Sequence, residues 1–373
     1  MKKKRIFTAV LLTLSLFLIF PLATLADSDE TQEGGGEDTV SDIMSEFSEL
    51  IPEESGISLE ENRLLESVGF DSILSGILSA VLGEKSRILG FFLTVIGFAV
   101  LSVVCETASS LGSTAKKSAG VGVYVIMSVT VYPTVYAVFE SVRKSLESVS
   151  SFFGAALPIM TAITAASGSV KTAGIQAMNM NVTLGIVGAI ATKILLPLSF
   201  AMLALALVSS FGEGSAGSVA KGIKSFFTFG LGIVTAVSSA AIALQTVIAS
   251  ASDSAALRAA RYAAGGLIPV VGSSVSSALS TLAGGLAYAK STVGAAAIAV
   301  IASASIAPLI SLLVYRIIFS VAVTFLEYAD NPGGVRCFSA YRVAFDTVIS
   351  VYVMSTLVCI IQLIVFMKGG ASL

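Results

Sequence analysis

The sequence predicts an all-α fold: a polytopic helical membrane protein of about eight spans, small-residue-rich, with Pro-broken or re-entrant segments. Hydrophobic residues make up 55% of the 373-residue chain and charged ones only 12%, where a soluble domain carries about 25% charged residues. Mean hydropathy is +0.92. Apolar runs recur from residue 88 to residue 367, at lengths near the ~20 residues a helix needs to cross a bilayer.

The chain opens as MKKKRIFTAVLLTLSLFLIFPLATLADSDE. Basic residues at 2–5, an apolar run at 6–20, Pro21, and small residues at Thr24 and Ala26 have the layout of a secretory signal peptide over 1–26. The alternative is an uncleaved signal anchor, and either way residue 27 onward begins outside the cytoplasm. Residues 27–86 form an acidic extracytoplasmic region, since 16 of the 24 acidic residues lie between Asp27 and Glu84. Its first part, 27–40, is too polar to bury a core and reads as a tether. Two short amphipathic helices follow. Ile43, Met44, Phe47, Leu50 and Ile51 recur at helical spacing before Pro52, and Ser58 with Glu61 makes a capping box ahead of a face carrying Leu64, Leu65, Val68 and Ile73. These helices are too polar to span, and their acidity favours protein contact over anionic lipid.

Residues 87–373 form the transmembrane domain. The expected spans are 88–105, 120–139, 152–168, 174–190, 194–210, 226–250, 293–326 and 345–367. The charged stretch ESVRKSLESVS links the second and third, and Lys193 splits the fourth from the fifth. With the exported N-terminus as anchor, Lys116, Lys117, Lys171, Lys221, Lys224, Arg336 and Arg342 fall on the cytoplasmic side, but a similar number of basic residues falls outside, so charge asymmetry scarcely discriminates. With no Trp in the chain, any interfacial aromatic belt must use Tyr, for example Tyr262, Tyr288, Tyr328 and Tyr341.

Several function classes lack their residues. The chain has no His, which removes the usual general base, the commonest metal ligand and the paired Ser or Cys nucleophile. No catalytic, cofactor or metal site is expected. Cys105, Cys337 and Cys359 are scattered and read as small hydrophobes. Neither GGG at 34–36 nor GEGSAG at 212–217 has the strand-loop-helix context of a phosphate loop, and no basic, aromatic-interleaved patch points to nucleic acid.

Gly, Ala, Ser and Thr are dense within the spans, which is how membrane helices approach closely. The same small faces could surround a cavity or pore. The sharpest candidate is GGLIPVVGSSVSSALSTLAGG, an uncharged stretch with Pro269 and five glycines whose length suits a bent or re-entrant segment. Gly265, Gly266, Pro269, Gly272, Ser273, Ser276, Ser280 and Gly284 are its candidate pore-lining or packing residues. Pro133, Pro158, Pro197 and Pro308 also lie in or beside apolar runs and tend to kink or break a helix. Gln176, Asn179, Asn181, Gln245 and Gln362 can donate hydrogen bonds between helices. Arg316 is a candidate intramembrane charge, because a central charge costs at least about 2.5 kcal/mol on insertion scales. It either snorkels from a helix end or pairs internally, with Glu106 a better partner than Glu327, since the latter would need the chain to fold back.

The order of features resembles the stage III sporulation protein AE family. The resemblance is carried by FFGAALPIMTAITAASG in the middle and RYAAGGLIPVVGSSVSSAL towards the end, with Ile268-Pro269-Val270-Val271-Gly272 at its heart. FLEYADNPGGVRC, 325–337, falls where the family has a polar turn before its last span. The resemblance implies a multi-pass protein of the mother-cell membrane around the forespore, belonging to a channel that links the two compartments. It implies other stage III A proteins as partners, ring proteins and an ATPase, with a forespore membrane partner; membrane lipid and further copies of the chain, as a homo-oligomer, are also expected partners. A stand-alone secondary transporter for a small solute is the alternative, against which stands the lack of an inverted repeat.

Overall fold

The computed structural model describes residues 85–107, 113–166, 170–209, 222–241 and 272–368, all of them helical apart from one tight turn. The helices are α1 (Lys85–Thr107), α2 (Ser113–Ala166), α3 (Val170–Ile190), a π-helical turn (Ala191–Leu195), α4 (Leu196–Ser209), α5 (Gly222–Ala241), α6 (Gly272–Tyr328) and α7 (Pro332–Lys368). The expected signal peptide, and the expected acidic region up to residue 84, lie outside the described residues.

Among the described residues, six helical segments are long and apolar enough to cross a membrane. Two junctions in the sequence stay helical where eight spans were expected. ESVRKSLESVS does not loop out, because Arg143 bonds Glu140 one turn back and Glu147 one turn on, the i,i+3 and i,i+4 pairing that supports a helix surface. Two expected spans therefore become the single helix α2, with 54 residues. At Lys193 the chain widens into the π turn and continues. Pro197 follows closely and has no N–H for the Lys193 carbonyl, and a wider turn relieves the clash a proline ring makes four residues back. Pro133, Pro158 and Pro308 likewise sit inside unbroken helices.

The core has two storeys. The larger is aromatic: Phe91 of α1, Phe139 of α2, Tyr315 and Phe319 of α6, and Phe338, Tyr341 and Phe345 of α7 meet in one cluster. Phe91 sits edge-on to Tyr315 at 4.7 Å between centroids, and Phe319 stacks on Tyr341 at 5.2 Å, the geometries that aromatic quadrupoles prefer. Tyr341 is thus a core residue and not part of an interfacial belt, whereas Tyr328, 93% exposed, stands at the end of α6. The second storey is built from small and aliphatic groups: Ala156 and Ile163 of α2, Met180 of α3, Ala296, Ala297 and Ile301 of α6, and Leu363 of α7. Residues 292–301 are buried on every side, as expected of a helix apolar all round. Their Ala-rich composition permits that crowding. At Gly294 an added Cβ would collide with Met367 of α7.

Polar layers bound the aromatic storey. At one end the Tyr124 hydroxyl donates to Asn331 at 2.8 Å. At the other the hydroxyls of Ser145 and Tyr352 lie 2.8 Å apart, and they also reach the carbonyls of Ala304 and Ser305, each at 3.2 Å. Both helices traverse 21 residues between these contacts (Tyr124 to Ser145, Asn331 to Tyr352), about 31 Å at 1.5 Å per residue. That matches the ~30 Å hydrocarbon thickness of a bilayer.

Candidate functional site

The polar knuckle closing the first storey is made by three residues between α6 and α7. Asp330 takes the left-handed conformation at φ 51°, and the N–H groups of Asn331 and Asp330 reach back to the carbonyls of Leu326 (3.0 Å) and Glu327 (3.4 Å). This pairing is the Schellman ending of α6. The same Asn331 begins α7: its Oδ1 accepts the Gly334 N–H at 2.8 Å, its carbonyl accepts the Val335 N–H at 3.0 Å, and Pro332 takes the first helical position, where a missing N–H costs nothing. Asn331 also ties in two more helices. Its Oδ1 accepts from Tyr124 of α2, and its Nδ2 donates to Ser102 of α1 at 3.1 Å. One fully enclosed amide therefore ties together four helices. Gly333 and Gly334 are the residues that let it close, since a Cβ at either would sit 3.0 Å from Tyr124 or Leu326.

Deeper in the same storey lies an ion pair. Arg316 Nε donates to Asp346 Oδ1 at 2.8 Å, the two side chains 24% and 41% exposed. The intramembrane-charge reading of Arg316 thus acquires a partner, but a different one: Asp346 of α7 and not Glu106. Glu106 stands exposed in the last turn of α1, at the knuckle end, whereas Arg316 is 12 residues before Tyr328, about 18 Å into the helix. The α6–α7 hairpin supplies the fold-back that a nearby carboxylate requires.

Beyond the Ser145–Tyr352 layer, a groove of about 600 Å³ opens between α2, α3, the π turn and α7, with Glu147 and Lys193 among its polar lining and Phe153, Leu157 and Leu184 among its apolar wall. Gly154, Gly185 and Gly188 border it, and a Cβ on any of them would meet nothing within 4 Å. Asn179 makes the interhelical bond its type promises, donating to the Ala241 carbonyl of α5 at 3.0 Å. Gln362 is buried with neither amide atom bonded. Among the described residues no group of His, Cys, Asp and Glu could hold a metal ion.

The expected pore segment is only partly in view. Gly265, Gly266 and Pro269 lie outside the described residues. Gly272, Ser273, Ser276, Ser280 and Gly284 fall in the first turns of α6, which runs unbroken to Tyr328, so no re-entrant break occurs after Gly272. The sequence reading passed over Asn331 and Asp346. The signal for both was present in DNPGG, a helix stop, a helix start and a hairpin in five residues.

These features define an all-helical bundle with six helical segments, among the described residues, long and apolar enough to cross a membrane. Residues 61–370 match the family model of stage III sporulation protein AE, and the chain belongs to that family. Among curated proteins it is similar to stage III sporulation protein AE of Bacillus subtilis (strain 168), 21% identical over 339 residues, covering 88% of this chain and 84% of that protein. No solved structure matches it.

Proposed function

We propose that this chain is an integral membrane component of a transenvelope channel complex linking mother cell and forespore, needed for late forespore development. Family membership supports the sporulation role. The observation that carries the bridging role is length: α2 has 54 residues and α6 has 57, about 81 and 86 Å, against a ~30 Å hydrocarbon core. The bilayer covers the aromatic storey, whose outer surface carries Leu93, Val100 and Val104 of α1, Phe229 of α5, and Ile317 and Val321 of α6. The Ala-rich storey stands clear of it. With the chain exported from residue 27, that storey projects into the intermembrane space, and the knuckle faces the cytoplasm. Its partners are the other stage III A proteins, rings and ATPase, and a forespore membrane protein; the chain has no catalytic role of its own.

The test is made in an endospore-forming host. Loss of the chain should abolish heat-resistant spores after engulfment, and a tagged copy should co-purify with the ring proteins and ATPase. Solute uptake by the purified chain alone would overturn this reading in favour of a stand-alone transporter. Basic residues are more numerous at the outer end in this orientation, so a reporter fused after residue 368 checks it directly, with an extracytoplasmic signal expected.

A further inference from the structure

The helices of the aromatic storey treat their outward faces in two ways. On α1 the outward residues are Leu89, Leu93, Val100, Leu101 and Val104, an apolar surface suited to lipid. On α7 the pattern inverts. Cys337, Phe338, Tyr341, Phe345 and Val348 point into the core, while Arg336, Ser339, Arg342, Asp346 and Ser350 are exposed or half-buried on the other side. From Arg336 to Ser350 is 14 residues, about 21 Å of the ~31 Å storey, and Arg316 of α6 adds its guanidinium at mid-depth through Asp346. Ionisable groups at membrane depth face a bundle interior or a water-filled cavity because lipid cannot solvate them. Among the described residues they lie, exposed or half-buried, on the outside of the bundle.

We infer that this outward face of α7 is a wall of an aqueous passage through the membrane, one that favours anionic over cationic solutes. Water solvates the stripe from end to end, so the wall opposite it comes from another subunit of the assembly. The charge preference follows from the pairing. Asp346 is answered by Arg316, and Arg342, one turn before Asp346, has no ion pair among the described residues. A guanidinium lining a narrow path attracts anions and repels cations. The inference deepens the channel reading and rests on it for its purpose, while its geometry is tested separately.

The experiment uses the full chain in membranes of sporulating cells, with Cys105, Cys337 and Cys359 replaced by Ala and single cysteines introduced as Ser339→Cys, Ser350→Cys and, facing lipid, Leu93→Cys. Heat-resistant spore counts are measured in the same strains. Membrane-impermeant methanethiosulfonates should modify the Ser339→Cys and Ser350→Cys variants and leave Leu93→Cys untouched. The sulfonate-bearing reagent should react several-fold faster than the trimethylammonium one, and Arg342→Glu should reverse that order. Failure of both α7 cysteines to react while spore counts stay normal overturns the aqueous wall and leaves the channel reading standing. Equal rates for the two reagents overturn the anion preference. Normal spore counts in a strain lacking the chain altogether strike the channel reading instead.

Discussion

Replacing Asn331 by Ala tests whether the knuckle is one cooperative device. The side chain caps α7, a contribution of about 1 kcal/mol. Its removal also leaves the Tyr124 hydroxyl enclosed without its acceptor, and an orphaned buried donor costs about 1–3 kcal/mol. Ser102 suffers less, because its own proton already goes to the Ala99 carbonyl at 2.8 Å. Asn331→Ala should therefore destabilise by about 2–4 kcal/mol, Tyr124→Phe alone by about 1 kcal/mol, and the double variant by little more than Asn331→Ala, since a phenyl ring leaves no hydroxyl to orphan. Unfolding of the detergent-solubilised protein, read by far-UV circular dichroism across a denaturant series, gives the four corners of the cycle. A coupling of about 1 kcal/mol or more is expected for groups in direct contact. Strictly additive effects would show that Tyr124 and Asn331 merely sit side by side.

Other outcomes follow from the same contacts. Gly334→Ala places a methyl 3.0 Å from Leu326 and 3.2 Å from Asn331 Oδ1, so it should cost about 1–3 kcal/mol as overpacking; Gly97→Ala, with open space around it, should be neutral or stabilising by up to about 1 kcal/mol, both read as shifts in detergent thermal stability. Asp346→Leu removes the hydrogen-bonded partner of a half-buried guanidinium, Arg316, and should reduce the amount of chain in the membrane, at the about 1.5–3 kcal/mol that a hydrogen bond to a charged group contributes. Adding Arg316→Leu should restore it, as quantified by immunoblot of washed membranes.

The bundle was legible where chemistry is local. Apolar runs, the absence of His and the helix-bonding Asn179 all read directly from residue type. Span number did not, because a charged stretch is ambiguous from sequence alone. ESVRKSLESVS has the composition of a surface loop, yet its acids and bases fall at helical spacing and pair along the helix. Lys193 reads as a break until the π turn and Pro197 are seen together. The partner of Arg316 was hidden for another reason: 30 residues separate it from Asp346, and only the turn centred on Asp330 makes them neighbours. Once the chain folds back there, the two residues stand almost equally far from the turn, so a hairpin drawn at DNPGG pairs them without further information.

If the Ala-rich storey leaves the bilayer, the outward face of α3 needs an explanation. Ile175, Met178, Val182 and Ile186 are 45%, 71%, 49% and 40% exposed, and their spacing puts them in one narrow stripe. In lipid such a stripe would be unremarked; in the intermembrane space it is a seam for a partner's helix. Fully burying an aliphatic side chain contributes about 1.5–3 kcal/mol, and with about half of each still open the four residues offer roughly 3–6 kcal/mol before the costs of association. Met178→Glu separates the two cases. Its side chain is largely outside the core, so in water the substitution leaves the fold and the membrane level of the chain unchanged while pull-down of the other stage III A proteins falls. Were the stripe in lipid, the carboxylate would instead lower the amount of chain in the membrane. Normal membrane levels with undiminished pull-down would refute the seam, and reduced membrane levels would return the second storey to the bilayer.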